Sequence, residues 1–113
     1  MRLEEKSLLF DVRESCMLIA QFTAGKTYAD YAADAALRSA IERQFIVAGE
    51  ALNRLGRINP GLLNRIPDSR AIINFRNILV HGYDQVEDVV VWGIVQTHLS
   101  VLLSTVENLL AET

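Results

Sequence analysis

Residues 37–56 read Leu-Arg-Ser-Ala-Ile-Glu-Arg-Gln-Phe-Ile-Val-Ala-Gly-Glu-Ala-Leu-Asn-Arg-Leu-Gly, and their apolar side chains recur every three or four positions. This spacing is typical of an amphipathic helix that turns one stripe toward a core. Asp34 precedes the stretch as a candidate N-cap, and Gly56 is the residue at which we expect the helix to end. The stripe consists of Leu37, Ile41, Phe45, Ala48, Leu52 and Leu55.

The chain before this helix carries a second stripe with the same period. It predicts a helix from about residue 4 to 24, which Gly25 should end. Residues 26–34 contain two tyrosines and two aspartates, and we interpret them as a loop. The apolar positions of this first stripe are Leu8, Val12, Cys16, Ile19 and Phe22.

The chain after residue 56 predicts two more helical segments. Asn59 followed by Pro60 suits the start of a short turn of helix, since asparagine caps well and proline is favoured at the first position. Residues 67–68, Pro-Asp, should open a third main helix that runs through Leu79 and ends at Gly82. No strand alternation, repeat or linker interrupts this pattern.

A final helix is expected from about residue 85 to 111, with Asp84 and Glu87 resembling a capping box. Its apolar side chains surround most of the helix, so one core cannot bury them all. An exposed apolar patch usually marks an interface, and we expect a homodimer or a permanent partner. The alternative is that the short helix and the loops cover this face. The side chains concerned are Val89, Val90, Val91, Trp92, Ile94 and Val95.

These segments together predict an all-α fold, an up-and-down four-helix bundle with a short extra helix. With 113 residues, half of them apolar, residues 1–113 should form a single domain with a real core. Acidic residues interrupt the N-terminal segment, which argues against a signal peptide, and no apolar run reaches the roughly 18 residues that span a bilayer. We therefore expect a cytoplasmic protein without a membrane partner. Cys16, the only cysteine, should be an inert core residue.

The charges are unevenly distributed along the chain. A net charge of −3 argues against a protein that coats nucleic acid non-specifically. Between residues 38 and 76, however, seven arginines face three acids, and after residue 76 there are five acids and no base. One face of the middle of the chain is thus expected to attract phosphates, although any single arginine outside residues 76–83 is better explained as a solvated charge on a helix surface.

Residues 76–83, Arg-Asn-Ile-Leu-Val-His-Gly-Tyr, hold the densest group of reactive side chains. Arginine binds phosphate through a planar, permanently charged fork, and histidine transfers protons near neutral pH. On a continuous helix, Arg76 and His81 would lie about 140° apart, so they do not face one atom unless the helix ends near His81 or a second chain completes the cleft. From the residues alone, His81 as a simple helix cap and Tyr83 as a packing residue stay open.

The pattern Arg76-x4-His81-x-Tyr83 resembles the signature of HepT-type toxins, in the HEPN (higher eukaryotes and prokaryotes nucleotide-binding) superfamily. Asn77 after the arginine fits the family's common form. Residues 41–43 and 49–51 resemble its second helix, and residues 86–96 resemble its last helix. The resemblance covers most of the chain.

The resemblance implies a dimeric helical bundle and an endoribonuclease, a hydrolase-type nuclease that acts without a metal or another cofactor. The RNA 2′-hydroxyl would attack the adjacent phosphate at a cleft between the two chains. His81 would act as general acid or base, Arg76 would stabilise the transition state, and Asn77 would orient a catalytic group or the phosphate. Neither His81 nor His98 belongs to a cluster with metal-site spacing, and we interpret His98 as structural or surface.

The resemblance also implies a toxin-antitoxin system in which a MntA-type nucleotidyltransferase antitoxin transfers AMP to the motif tyrosine. AMPylation of Tyr83 would block the cleft with a bulky, negatively charged group. Two alternatives remain. One is a non-catalytic HEPN module that binds a nucleotide or a partner, and the other is a purely structural dimerising bundle.

Overall fold

The computed structural model describes residues 1–112, which contain no strand. The predicted all-α class is confirmed, with four long helices and two short ones. In chain order the helices are α1 (Leu3–Thr23), α2 (Tyr28–Ala33), α3 (Ala35–Ile58), α4 (Pro60–Asn64), α5 (Ser69–His81) and α6 (Asp88–Ala111), and a single 3-10 turn (Tyr83–Gln85) precedes α6. Whether residues 1–113 form one domain stays a prediction, and Thr113 lies outside the described residues.

Helix α3 is central to the bundle because it packs against both α1 and α5, while α6 packs against α1. Five of its six predicted stripe residues are buried, and Leu37 is partly buried. The rings of Phe45 and Phe75 meet edge to face with their centroids 5.4 Å apart. Such a ring pair adds about 0.5–1.5 kcal/mol to the free energy gained by burial, and it fixes α5 against α3.

The loop predicted for residues 26–34 is wrong, because most of this segment forms α2. Thr27 and Asp30 make a capping box, in which each side chain accepts the backbone N–H of the other, at 3.2 and 2.9 Å. Tyr31 is buried, and its ring lies 5.4 Å from that of Trp92 on α6. The segment is polar on one side only, so its short helix covers part of the apolar face of α6.

Gly56 does not end α3, contrary to prediction. The helix continues to Ile58, and a Cβ atom at position 56 would lie 2.6 Å from Cδ2 of Leu63. The glycine therefore permits the close approach of α4. Asn59 is the C-cap of α3 instead. It also caps α4, as predicted, since its side chain accepts the backbone N–H of Leu62 at 3.0 Å.

The capping box predicted for Asp84 and Glu87 does not form. Glu87 is the N-cap residue of α6 but makes no side-chain capping bond, and Asp84 lies in the 3-10 turn. The backbone N–H of Gln85 bonds to the carbonyl of Gly82 at 2.8 Å, which closes this turn. Helix α6 consequently begins at Asp88, three residues later than expected.

Helix α6 keeps an exposed apolar face even though α2 covers part of it. Val89, Val90 and Val101 are exposed, whereas Val91 and Trp92 are buried. Although no uninterrupted apolar run spans the helix, α6 as a whole is long and apolar enough to cross a membrane by length and composition, with a third of its most apolar stretch buried. The core helices of soluble proteins meet the same criterion.

Two smaller predictions concern residues away from the motif. Cys16 is buried, and burial raises the pKa of its thiol to about 12, so the expectation of an inert core cysteine is confirmed. The Nδ1 atom of His98 lies 2.9 Å from the Asp68 carboxylate, which joins α6 to the start of α5. This contact supports a structural role for His98.

Candidate active site

Helix α5 ends within the motif, at the position that the sequence predicted. Its last residue is His81, and Gly82 is the C-cap, with its N–H bonded to the carbonyl of Ile78 at 2.8 Å. Tyr83 opens the 3-10 turn and exposes 77% of its surface. Gly82 and Tyr83, the last two residues of the motif, thus lie outside the regular helix.

Arg76 lies on the side of α5 that faces α3. Its Nη2 atom is 3.0 Å from Oε2 of Glu50, and its Nη1 atom donates to Oδ1 of Asn77 at 2.9 Å. The Nε atom is buried and has no hydrogen-bond partner within residues 1–112. The guanidinium is thereby held at two of its nitrogens, which fixes the direction of its charge.

Gly49 makes this placement of Arg76 possible. A Cβ atom at position 49 would lie 2.3 Å from Cβ of Arg76 and 3.2 Å from the carbonyl oxygen of Ile72. Only a glycine lets α5 approach α3 this closely. Gly49 and Glu50 lie in the stretch that resembles the family's second helix, but no sequence pattern predicted a role in the site for either of them.

The structure does not join all four predicted site residues within one chain. Arg76 and Asn77 are bonded to each other, whereas the side chains of His81 and Tyr83 make no hydrogen bond or ion pair with any of residues 1–112. Both of these residues are exposed at the end of α5. The arrangement therefore offers a fixed arginine and, beyond it, an exposed imidazole and an exposed phenol.

A cavity of about 270 Å³ lies beside Arg76, between α1 and α3. Arg43 and Arg54 lie in its wall together with two carboxylates, Asp11 and Glu50. Arginines beside a cavity of this size are suited to an anionic group. The carboxylates limit how much negative charge the cavity can accept, so its chemistry depends on the ion pair between Glu50 and Arg76.

Metal-binding side chains are not clustered in the part of the chain that the structure describes. No group of three or more His, Cys, Asp or Glu residues there is placed to hold a metal ion. The polar side chains that the motif presents include an arginine, an amide and a histidine, which suit charge stabilisation and proton transfer.

Comparison with known proteins places this sequence in a family. Residues 12–109 match the family described as "Ribonuclease HepT-like". The chain belongs to the HepT-like ribonuclease family. The resemblance predicted from Arg76-x4-His81-x-Tyr83 is thereby confirmed, and membership of this family supports ribonuclease activity.

A curated relative of this HepT-like chain has a name that agrees with the family. The protein of Methanocaldococcus jannaschii named "Putative RNase MJ1380" is 27% identical over 104 residues, which cover 90% of this chain and 93% of that protein. No solved structure matches the chain.

Proposed function

We propose that this protein is the toxin of a toxin-antitoxin system, a cytoplasmic endoribonuclease that works without a metal and is silenced by AMP transfer to Tyr83. The observation that carries the proposal is the placement of Arg76. It is fixed between Glu50 and Asn77 on the helix that ends at His81, within a chain of the HepT-like family.

The proposed reaction is an internal transfer at one RNA phosphate. The 2′-hydroxyl oxygen forms a bond to the adjacent phosphorus, and the bond from phosphorus to the 5′-oxygen breaks. The products are a 2′,3′-cyclic phosphate and a 5′-hydroxyl. His81 would remove the proton from the attacking hydroxyl or return one to the leaving oxygen, a contribution of typically 10²–10⁴ in rate.

Arg76 is assigned to the charge that develops on the phosphate oxygens. Each Nη atom of a guanidinium carries two N–H groups, so Nη1 and Nη2 each keep one for the substrate after bonding to Asn77 and Glu50. A donor held in place before the reaction stabilises the transition state without reorganising. Asn77 would serve by fixing the fork of Arg76.

A second copy of the chain is proposed to complete the cleft. Arg76 and His81 share no hydrogen bond, and helical geometry separates them by about 140°, so a single α5 does not present both to one phosphate. Exposed apolar side chains lie within the motif and after it in the chain, and they would lie in the interface between the two copies. They are Ile78 and Val80 on α5, and Val89 and Val90 at the start of α6.

Tyr83 is the proposed target of the antitoxin, a MntA-type nucleotidyltransferase. Its exposed hydroxyl would attack the α-phosphate of ATP, and pyrophosphate would leave. The attached AMP places a negative charge two residues from His81. This charge would repel an incoming RNA phosphate, and the nucleoside would fill the cleft.

The function is tested with purified protein and RNA in EDTA, followed by analysis of the product ends. We expect cleavage that yields cyclic phosphate and 5′-hydroxyl ends, from a protein that sediments as a dimer. Cleavage that requires an added metal ion, or that yields 5′-phosphate ends, would contradict the mechanism. Tight nucleotide binding without cleavage would instead support the non-catalytic module.

A further inference from the structure

The nine arginines of the chain divide into two groups by their contacts. Five make side-chain ion pairs or hydrogen bonds: Arg2, Arg13, Arg38, Arg65 and Arg76. The other four, Arg43, Arg54, Arg57 and Arg70, make neither with any of residues 1–112. All four unpaired arginines line cavities on α3, two of them beside Arg76 and two farther along the helix.

The second cavity, about 320 Å³ in volume, lies between the C-terminal part of α3 and the N-terminal part of α5. Arg57 and Arg70 lie in its wall, together with the amides Asn53 and Asn74, whose side chains likewise make no hydrogen bond within residues 1–112. Its lining among these residues contains no carboxylate, in contrast to the cavity beside Arg76. Two unpaired guanidinium groups in a lining without a carboxylate attract an anion.

The cavity is connected to the candidate active site by one face of α5. Arg70, Asn74, Asn77 and His81 follow each other at intervals of four, three and four residues, so they form one stripe along the helix. All four residues are exposed. The stripe runs for about 16 Å from Arg70 to His81, at 1.5 Å per residue.

A matching stripe lies on the neighbouring helix. Arg43, Arg54 and Arg57 fall within about 60° of one another around α3. Residue 49 lies against residue 76, whereas residues 56–57 and residue 70 line one cavity, so α3 and α5 run in opposite directions here. The unpaired arginines of the two helices therefore extend the positive charge of the site away from Arg76 and toward Arg70.

We propose that the cavity between Arg57 and Arg70 is an RNA subsite, which binds a backbone phosphate several nucleotides from the bond that is cleaved. The inference rests on the proposed function, and it adds a length requirement for the substrate. Guanidinium groups bind phosphate oxygens through paired N–H donors, and the two amides supply further donors and acceptors for sugar or base. An RNA chain that enters at His81 reaches the cavity along a polar stripe.

A nucleic acid is favoured over an acidic protein by the shape and contents of the site. Its polar groups follow a line that leads into a cavity, and they include amides as well as arginines. This arrangement suits a chain with regularly spaced phosphates. A protein partner at the same surface is a separate outcome of the test below.

The test measures RNA binding by fluorescence anisotropy in a His81→Ala background, which prevents turnover. The probe is a labelled single-stranded RNA of about a dozen nucleotides. The variant is Arg57→Gln with Arg70→Gln. The matched control is Arg65→Gln, an exposed arginine on the short connection between α3 and α5 that pairs with Glu112 outside the cavity.

We expect the double variant to bind the RNA about tenfold more weakly than its parent, and the slope of log K against log salt to become shallower by about 0.7, the value for one phosphate contact on a single strand. The Arg65→Gln control should change neither. In the His81 wild-type background, the double variant should raise KM for the long RNA and leave cleavage of a dinucleotide unchanged, because a dinucleotide is too short to reach the cavity.

Unchanged affinity and salt slope in a double variant of normal helicity would overturn the subsite. Loss of antitoxin binding together with unchanged RNA binding would also overturn it and assign the surface to a protein. Failure of the proposed function gives a different result. If the double variant shows the weaker RNA binding and the shallower salt slope but the wild-type protein cleaves no RNA, the subsite is supported and the ribonuclease mechanism is contradicted.

Discussion

The Oε2 atom of Glu50 lies 3.0 Å from the Nη2 atom of Arg76, so a carboxylate of α3 holds the guanidinium of the motif helix. Both side chains are partly exposed, and ion pairs of this kind contribute at most about 1 kcal/mol to stability. The larger consequence is positional. Arg76 has a buried Nε, a fixed Nη1 and a fixed Nη2, so its remaining N–H donors are held in a fixed orientation.

Glu50→Gln tests this positional role. The amide keeps the size of the side chain but removes the charge that holds Arg76, and we expect kcat for RNA cleavage to fall about tenfold, equivalent to about 1.4 kcal/mol of transition-state stabilisation. The free energy of unfolding should change by less than about 1 kcal/mol. Single-turnover cleavage and urea denaturation measure the two quantities.

The control for this prediction is Glu112→Gln, which breaks the exposed ion pair with Arg65 and should leave cleavage unchanged. Full activity in Glu50→Gln would mean that Arg76 needs no anchor on α3. Increased activity would mean that Glu50 competes with the RNA phosphate for the guanidinium.

Gly49→Ala tests the close approach of α5 to α3. The new methyl group would overlap Cβ of Arg76, which belongs to the rigid part of that side chain, so the helices must separate. Overpacking of this kind typically costs about 1–3 kcal/mol in the free energy of unfolding. We expect that loss, together with reduced cleavage, because Arg76 moves relative to Glu50.

Gly93→Ala is the matched control, since a Cβ at that position in α6 has nothing within 4 Å apart from its chain neighbours and the backbone of its own helix. There the substitution should stabilise the protein by about 0.5–1 kcal/mol through the helix preference of alanine. Equal effects at positions 49 and 93 in thermal denaturation would contradict the account of the helix contact.

Tyr83→Phe tests the proposed modification. The variant lacks the hydroxyl that would attack ATP, so incubation with the cognate nucleotidyltransferase and ATP should add no AMP to it, and it should still cleave RNA after that treatment. Intact mass and cleavage assays measure both effects. Tyr28→Phe removes another exposed tyrosine and should be modified like the wild type. AMP on the Tyr83→Phe protein would place the target elsewhere.

Glu42 makes stability depend on pH with a predictable sign. Burial of its carboxylate raises its pKa above the ordinary value of 4.5, the negative charge of Asp88 raises it further, and Arg38 partly opposes both. The folded state therefore holds the Glu42 proton more tightly than the unfolded state does. The protonated Glu42 carboxyl thus contributes to the stability of the folded state. That contribution is fully present below the ordinary pKa and is lost as the pH rises through the raised pKa.

Glu42→Gln should accordingly raise the Tm at pH 7, because it removes a charge that the folded state disfavours. The gain should shrink as the pH falls through the raised pKa of Glu42 and should be absent well below 4.5, where the wild-type carboxyl is protonated in both states. Calorimetry at both pH values measures it. A gain that is larger at low pH would reverse the sign and contradict the assignment to Glu42.

Local patterns in the sequence predicted most of the fold. The C-terminal ends of α1 and α5 and the start of α4 followed from residues that act on their own backbone. Examples are Asn59, which caps α4, and Gly82, at which α5 ends. Gly56 misled the prediction because its role depends on Leu63 of another helix. Helix α2 was missed because its capping box, Thr27 with Asp30, lies in a stretch too short and too polar to show a periodic stripe.

The candidate site was only partly predictable for a related reason. Arg76, Asn77, His81 and Tyr83 lie within one short motif, whereas Glu50 comes from a different helix. The ion pair between Glu50 and Arg76 depends on how α5 is placed along α3. Gly49 allows this placement, and no local sequence pattern reveals it. The unpaired state of Arg57 and Arg70 is likewise a property of the packed helices.

The central claim is that Arg76 and His81 cleave RNA without a metal. The most direct measurement is single-turnover cleavage of a labelled RNA in EDTA by the wild type, Arg76→Ala and His81→Ala, with His98→Ala as the histidine control and circular dichroism as the check of folding. We predict that the wild type and His98→Ala cleave, and that each motif variant loses at least about a hundredfold in rate. Equal rates in all four proteins, or no cleavage by the wild type, would contradict the account.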